Sequence, residues 1–183
     1  MVSIGVVGAG YWGPNLIRNF SALADSRVKL VCDRDARRRE YIEALYPDTR
    51  TTSDFEQILT DSEIEAVVIA TPVATHFSLA AAAIDAGKHV FIEKPLARTA
   101  AECQTLIEQA DTRGLVLMVG HTFIFNHQVR LIRDLIERGE LGDVMYINAR
   151  RLNLGLFQKD INVAWDLAPH DLSMILYWLQ EDP

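Results

Sequence analysis

Residues 3–33 have the sequence SIGVVGAGYWGPNLIRNFSALADSRVKLVCD. Residues 4–7 and 28–32 are apolar runs rich in β-branched side chains, which predicts two buried strands. Between them, residues 14–24 carry apolar side chains at helical spacing. The stretch therefore predicts a strand, a glycine-rich turn, a helix and a second strand that ends on Asp33.

The turn contains the spacing GxGxxG, formed by Gly8, Gly10 and Gly13. In a dinucleotide-binding turn the first glycine permits the tight bend, the second lets the backbone approach a pyrophosphate, and the third permits close packing of the helix. Asp33 follows Gly13 by 20 residues, where a carboxylate can accept hydrogen bonds from the adenosine ribose. Two structural alternatives remain open at this point: a glycine turn that binds nothing, and an aspartate that only caps a strand end.

The residues around Asp33 bear on the choice of dinucleotide. A carboxylate at this point repels a 2′-phosphate, which favours NAD over NADP. Arg34 moderates this preference, because a guanidinium can stack on adenine or contact a phosphate. We interpret the basic run formed by Arg34 and residues 37–39 as the solvated face of a helix.

Strands and helices continue to alternate over about 120 residues, with further apolar runs at 66–70, 89–92 and 115–119. This alternation predicts an α/β fold with a doubly wound parallel sheet and the strand order 3-2-1-4-5-6. The pattern then changes to a helix at 128–138, a strand at 144–152, a polar loop at 153–162 and a helix at 165–179. We therefore predict a Rossmann domain at 1–121 and, at 122–183, a connecting helix with the first strand and helix of a second α+β domain.

Composition excludes several classes of function. The formal net charge of −7 and the pI near 5.2 argue against a nucleic-acid partner, which would require a basic surface. No apolar run approaches the ~20 residues of a membrane span, and because Met1 leads directly into the first strand we expect no signal peptide. The two cysteines lack metal or redox spacing, so we expect a reducing cytoplasm and no metal site.

Taken in order, these motifs resemble the Gfo/Idh/MocA oxidoreductase family. The matching segments are GAGYWG at 8–13, Asp33, ATPVATH at 70–76, EKP at 93–95, GH at 120–121, ELG at 140–142, and Asp166 with His170. The resemblance implies an NAD(P)-dependent oxidoreductase that transfers hydride between a nicotinamide cofactor and a secondary hydroxyl or ketone of a sugar, cyclitol or nucleotide-sugar. It also implies a cofactor site; the expected contacts are Gly8, Gly10, Tyr11, Trp12, Gly13, Asp33, Arg34, Thr71, Pro72, His76, Glu93 and Lys94.

The expected catalytic residues are Lys94, His170 and Asp166. Lys94 follows a strand end beside the predicted crevice, where a cation can stabilise a developing alkoxide; its structural alternative is a solvent lysine in a turn. His170 suits the role of base, and Asp166 lies four residues earlier on the same helical face. The spacing alone is typical of a surface pair, so the family resemblance supports this assignment. We expect Asp171 to point elsewhere on the helix, and a cis peptide at Lys94–Pro95 is a further possibility.

Two other functions remain open. The chain could be a dinucleotide-binding module without turnover, because family members usually continue for roughly as many residues again. It could also belong to a glycosidase that oxidises a hydroxyl transiently with NAD to permit elimination. A strand at 144–152 without neighbours and an apolar last helix favour a homo-oligomer.

Overall fold

The structure is a computed structural model that describes residues 1–152 and 162–181. Its contacts divide the chain into two compact units, Met1–Val119 and Gly120–Pro183. The predicted domain boundary, after residue 121, lies two residues further along the chain. Each unit is described by itself below.

The first unit contains one parallel sheet. Its strands are β1 (Val2–Val7), β2 (Ser26–Cys32), β3 (Arg50–Thr52), β4 (Ala66–Ile69), β5 (His89–Ile92) and β6 (Leu117–Val119). Their order is β3-β2-β1-β4-β5-β6, with every pair parallel, which confirms the predicted topology. The order reverses between β1 and β4, and a doubly wound sheet binds its ligand at the carboxyl edge of that point.

Five helices accompany the sheet. They are α1 (Gly13–Ala22), α2 (Ala36–Leu45), α3 (Glu56–Thr60), α4 (His76–Asp85) and α5 (Ala100–Thr112). The Asp35 side chain caps α2 by accepting from the amide of Arg37 at 2.9 Å. The Thr99 hydroxyl accepts from the amide of Glu102 at 3.2 Å and begins α5. The two capped helices each begin after a loop that follows a strand, β2 for α2 and β5 for α5.

Buried side chains cover both faces of the sheet. Adjacent residues of β4 point to opposite faces: Val67 packs in one apolar cluster with Ala83 and Leu106, and Val68 packs in another with Ile17 and Ile42. All six are at most 1% exposed. Because both faces are covered, the sheet is rigid and its carboxyl edge is a fixed platform for loops.

The second unit contains α6 (His127–Glu137) and α7 (Val163–Leu179). Asn126 caps α6 as its sequence position predicts, since its side chain accepts from the amide of Gln128 at 2.9 Å. The two helices pack together through Trp178, whose indole N–H donates to the carbonyl of Val129 at 2.8 Å. In the part of the chain that is described, no helix is long and apolar enough to cross a membrane.

The predicted strand at 144–152 does not form. Residues 144–152 have neither strand nor helix conformation. A strand requires a partner for its backbone hydrogen bonds, and all six strands of the described residues lie in the first unit. Most of the predicted loop at 153–162 lies outside the described residues.

Candidate cofactor and catalytic site

The glycine turn joins β1 to α1 in a shape that only glycine permits. Gly8 has φ +96°, and a Cβ there would lie 2.7 Å from the carbonyl oxygen of Ala70. A Cβ on Gly13 would lie 2.1 Å from the carbonyl oxygen of Gly8. Both glycines are therefore required by backbone contacts within the turn itself. As a result, the N-terminus of α1, with its amide donors and positive dipole end, begins directly beside β1.

Gly10 has a different environment. A Cβ there would meet only the guanidinium of Arg38, with its Nη1 at 3.3 Å. The space above Gly10 is therefore bounded by a flexible side chain and not by backbone. This is the arrangement that lets a pyrophosphate approach the turn closely.

Asp33, at the end of β2, is held against this turn. Its side chain is 9% exposed, and its two carboxylate oxygens accept from the amides of Ala9 at 2.7 Å and Asp35 at 2.8 Å. A carboxylate has about four lone-pair sites, so two backbone bonds leave acceptor capacity for a ligand hydroxyl. The structure thus gives Asp33 a structural role in joining β2 to the glycine turn, in addition to its predicted ribose contact.

The arginines after Asp33 are not merely a solvated helix face. Arg39 donates to the carbonyl oxygens of Asp33 at 2.7 Å and Arg34 at 3.1 Å, and so fixes the β2–α2 loop. The Nη1 of Arg38 lies 3.6 Å from the Asp33 carboxylate. Sequence reasoning missed Arg38; the signal was its position in the first turn of the helix that follows the acid. Arg34, which the sequence favoured, is exposed and offers its carbonyl to Arg39.

Cys32 directly precedes Asp33, and we expect its buried thiol to react slowly. Burial raises the pKa of its thiol from 9.0 to about 11, and the charge of Asp33 adds to this effect. We expect iodoacetamide at pH 8.5 to alkylate Cys32 at least ~100-fold more slowly in the folded chain than in urea, because the shift reduces the thiolate fraction by about that factor. Peptide mass spectrometry measures both rates, and equal rates would show that this strand end is open to solvent.

The loop after β4 carries Thr71, Pro72 and His76. The hydroxyl of Thr75 lies 2.8 Å from the hydroxyl of Thr71 and 2.8 Å from the carbonyl oxygen of Pro72, which closes the loop. His76 begins α4 and is only 1% exposed. Its ring nitrogens lie 2.8 Å from two backbone carbonyl oxygens, those of Thr71 and Pro95. This geometry fits a supporting role better than the direct cofactor contact that the sequence predicts.

Residues 93–95 form the turn after β5, which we call the lysine turn. The Lys94–Pro95 peptide is cis, as the sequence suggested. Glu93 is half-buried, and its Oε1 has no hydrogen-bond partner among the described residues. Burial raises the pKa of Glu93, whereas the Lys94 amide, the nearby Trp12 indole and the Lys94 charge oppose the rise. Lys94, the next residue along the chain, is also half-buried.

The other two expected catalytic residues, Asp166 and His170, lie on α7 in the second unit and are half-buried. The ring of Phe123 lies 4.7 Å from that of His170, centroid to centroid. Asp171 has a structural role: its carboxylate binds the guanidinium of Arg151 in a bidentate ion pair, with the closest atoms 2.9 Å apart. Lys94 lies in the first unit, whereas Asp166 and His170 lie in the second.

His121 is a partly buried histidine at the start of the second unit. Burial lowers the pKa of His121, whose Nδ1 has no hydrogen-bond partner among the described residues. Within residues 1–152 and 162–181, no group of three or more His, Cys, Asp or Glu side chains could hold a metal ion.

Comparison with known proteins assigns this fold to a family. Residues 2–121 match the sequence model of Gfo/Idh/MocA, described as an oxidoreductase family with an NAD-binding Rossmann fold. The chain belongs to this family. Its glycine turn, Asp33 and the N-terminus of α1 together form a site that fits the family's cofactor, NAD.

Three known proteins illustrate the similarity. The inositol 2-dehydrogenase of Salmonella typhimurium is 28% identical over 97% of this chain and 54% of its own length. GenD2 from gentamicin A biosynthesis, solved in complex with NAD, is 31% identical with a TM-score of 0.73 over 76% of this chain and 40% of its own. An NAD-binding protein from Listeria innocua shares the fold, with 24% identity and a TM-score of 0.90 over 99% of this chain and 56% of its own. The chain spans about half the length of the curated relatives it matches.

Proposed function

We propose that this chain provides the NAD site and catalytic groups of an oxidoreductase acting on a secondary hydroxyl, or the matching ketone, of a sugar, cyclitol or nucleotide-sugar. The observation that carries the proposal is the carboxylate of Asp33, which the amide of Ala9 holds beside the glycine turn at 2.7 Å. Lys94 follows β5, two strands from β1 in the same parallel sheet. A dinucleotide site and a candidate catalytic cation thus share the carboxyl edge of one sheet.

The chain's residues suit the proton and charge requirements of alcohol oxidation. When bound, NAD supplies the hydride acceptor for such a reaction. The Lys94 ammonium would stabilise the alkoxide that develops as the hydroxyl loses its proton. The imidazole of His170 would accept that proton, and Asp166, one helical turn earlier, would orient the ring.

The substrate class rests on the relatives. One of them is named as an inositol dehydrogenase, and another as a protein of gentamicin A biosynthesis. The acidic net charge of −7 is also consistent with a small-molecule substrate and not with a nucleic acid.

We include a cytoplasmic location and self-association in the same proposal. The cysteines of the described residues, Cys32 and Cys103, are both free thiols, as a reducing compartment favours. Exposed apolar side chains support self-association, since Met145 and Tyr146 are each 85% exposed.

Replacing Asp33 tests the cofactor site. We expect Asp33→Asn to weaken NAD binding about 30-fold, because charge-assisted bonds to the ribose are lost. We expect NADP binding to fall less or to rise, since the repulsion of a 2′-phosphate disappears while Arg38, 3.6 Å from the carboxylate, remains. Calorimetric titration with each dinucleotide measures both affinities.

Asp35→Asn is the matched control, because it removes the same charge two residues away from a side chain that caps α2. The control should bind NAD within about twofold of the wild type. Equal losses in the two variants would indicate a general charge effect. Absence of NAD binding to the wild-type chain would show that the glycine turn is purely structural.

A further inference from the structure

His76 has an unusual position for a polar side chain. It is 1% exposed, which makes it one of the largest fully buried side chains of the first unit. It stands at the first position of α4, directly after the loop that follows β4. Its burial removes it from direct contact with solvent or with a bound dinucleotide, so its role must be sought in what its ring touches.

The ring touches two loops at once. Its Nδ1 lies 2.8 Å from the carbonyl oxygen of Pro95, in the lysine turn. Its Nε2 lies 2.8 Å from the carbonyl oxygen of Thr71, at the end of β4. Both distances are those of good hydrogen bonds. The two loops follow adjacent strands, β4 and β5, and the imidazole joins them through their backbones.

Backbone carbonyl oxygens only accept hydrogen bonds, so the ring must donate; a neutral imidazole has one N–H and donates to one of the two carbonyls, whereas an imidazolium donates to both. The Pro95 carbonyl follows Lys94 by one residue, and Pro95 itself has no N–H with which to anchor the turn. The ring contact to Pro95 is therefore an anchor for the turn on the side that faces α4.

We propose that His76 is a positioning residue that acts through Lys94: by donating its Nδ1–H to the carbonyl of Pro95, its ring fixes the lysine turn against the start of α4. The proposal rests on the proposed function for the importance of Lys94, but not for the geometry. The bond to Pro95 holds the turn, and the contact of Nε2 with the carbonyl of Thr71 sets the orientation of the ring.

Two substitutions separate these bonds. The side-chain amide nitrogen of asparagine is as many covalent bonds from Cα as Nδ1 of histidine, and that of glutamine as many as Nε2. His76→Asn can therefore keep the bond to Pro95, whereas His76→Gln can keep only the bond to Thr71. The matched control is His89→Gln, because His89 is half-buried in β5 of the same sheet and its Nδ1 accepts from the amide of Val116 at 3.0 Å.

The readout is the rate at which a dilute acylating reagent modifies Lys94, measured by peptide mass spectrometry with Lys29 as internal reference. We expect His76→Gln to change the Lys94 rate about fivefold relative to Lys29, as loss of one hydrogen bond to the turn predicts. His76→Asn should stay within about twofold of the wild type, and so should His89→Gln. A merely structural role would give the Asn and Gln variants the same effect, and that result, or no effect in either, overturns the proposal.

The wild-type chain gives a second measurement that does not depend on a variant folding. An imidazole N–H bonded to a buried carbonyl exchanges slowly with water, so a slowly exchanging ring N–H of His76 should appear in the NMR spectrum. If the ring protons of His76 exchange as fast as those of exposed His127, the proposal is wrong. Both measurements are made without cofactor or substrate, so they test the role of His76 alone. The proposed function is tested separately, by cofactor binding and turnover.

Discussion

Gly13→Ala should destabilise the chain by about 3 kcal/mol or more and abolish NAD binding. A Cβ at this position would lie 2.1 Å from the carbonyl oxygen of Gly8, well inside van der Waals contact. The atom that it meets is backbone, so no side-chain rotation can relieve the overlap, and either the turn or α1 must move. Overpacking of this kind costs ~1–3 kcal/mol in ordinary cores and more where the backbone cannot yield.

Gly10→Ala is the matched comparison within the same turn. Its Cβ would meet only Nη1 of Arg38, at 3.3 Å, and that side chain is half exposed and free to rotate. We expect the unfolding free energy of this variant to change by less than ~1 kcal/mol. NAD affinity should nevertheless fall about tenfold or more, because the methyl group occupies the approach of the pyrophosphate.

Urea unfolding followed by circular dichroism measures the two stabilities, and calorimetric titration measures the two affinities. The pair separates the fold from the cofactor: Gly13 is required for the turn to exist, and Gly10 for the turn to bind. If Gly13→Ala were as stable as Gly10→Ala, the close approach of α1 to the turn would be contradicted. If Gly10→Ala bound NAD as well as the wild type, the pyrophosphate would lie elsewhere.

The sheet could be predicted from sequence because its signals are local. Every strand of the doubly wound sheet except the polar β3 (Arg50–Thr52) contains a short apolar run, and right-handed crossovers leave few ways to order such units. The Asn126 cap was also accessible from residue type and position alone, whereas the cis Lys94–Pro95 peptide was suggested by the family resemblance. These features need no knowledge of which distant residues meet.

Most of the features that sequence reasoning missed depend on contacts between distant segments; Arg38, five residues from Asp33, is the exception. The ring of His76 reaches Pro95, 19 residues away. The pairing of Asp171 with Arg151 spans 20 residues. The strand expected at 144–152 does not form, since the residues of one segment do not supply the partner that completes a ladder. Several side chains that sequence reasoning considered one at a time therefore contact other parts of the protein in the fold.

Lys94→Met is expected to have the largest effect on turnover. If Lys94 stabilises a developing alkoxide, its loss should lower the rate of NAD-linked polyol oxidation by a factor on the order of 10²–10³. NAD affinity should fall only about fivefold, since Lys94 is one of many expected cofactor contacts. The measurement is NADH absorbance over a panel of inositols, free sugars and nucleotide-sugars, with calorimetry for the affinity.

Lys29→Met is the control, because Lys29 is also a half-buried lysine but pairs with Asp61 and Glu63, each at 2.7 Å. It removes the same ammonium group from the same unit and should leave turnover within about twofold of the wild type. A Lys94→Met variant as active as this control would show that Lys94 is only a solvent lysine in a turn.

A wild-type chain that binds NAD but oxidises no polyol would instead be a dinucleotide-binding module. Cleavage of a glycoside without accumulation of NADH would indicate transient oxidation followed by elimination. The ratio of the kcat loss to the affinity loss in Lys94→Met is therefore the quantity that distinguishes a catalytic cation from a cofactor contact.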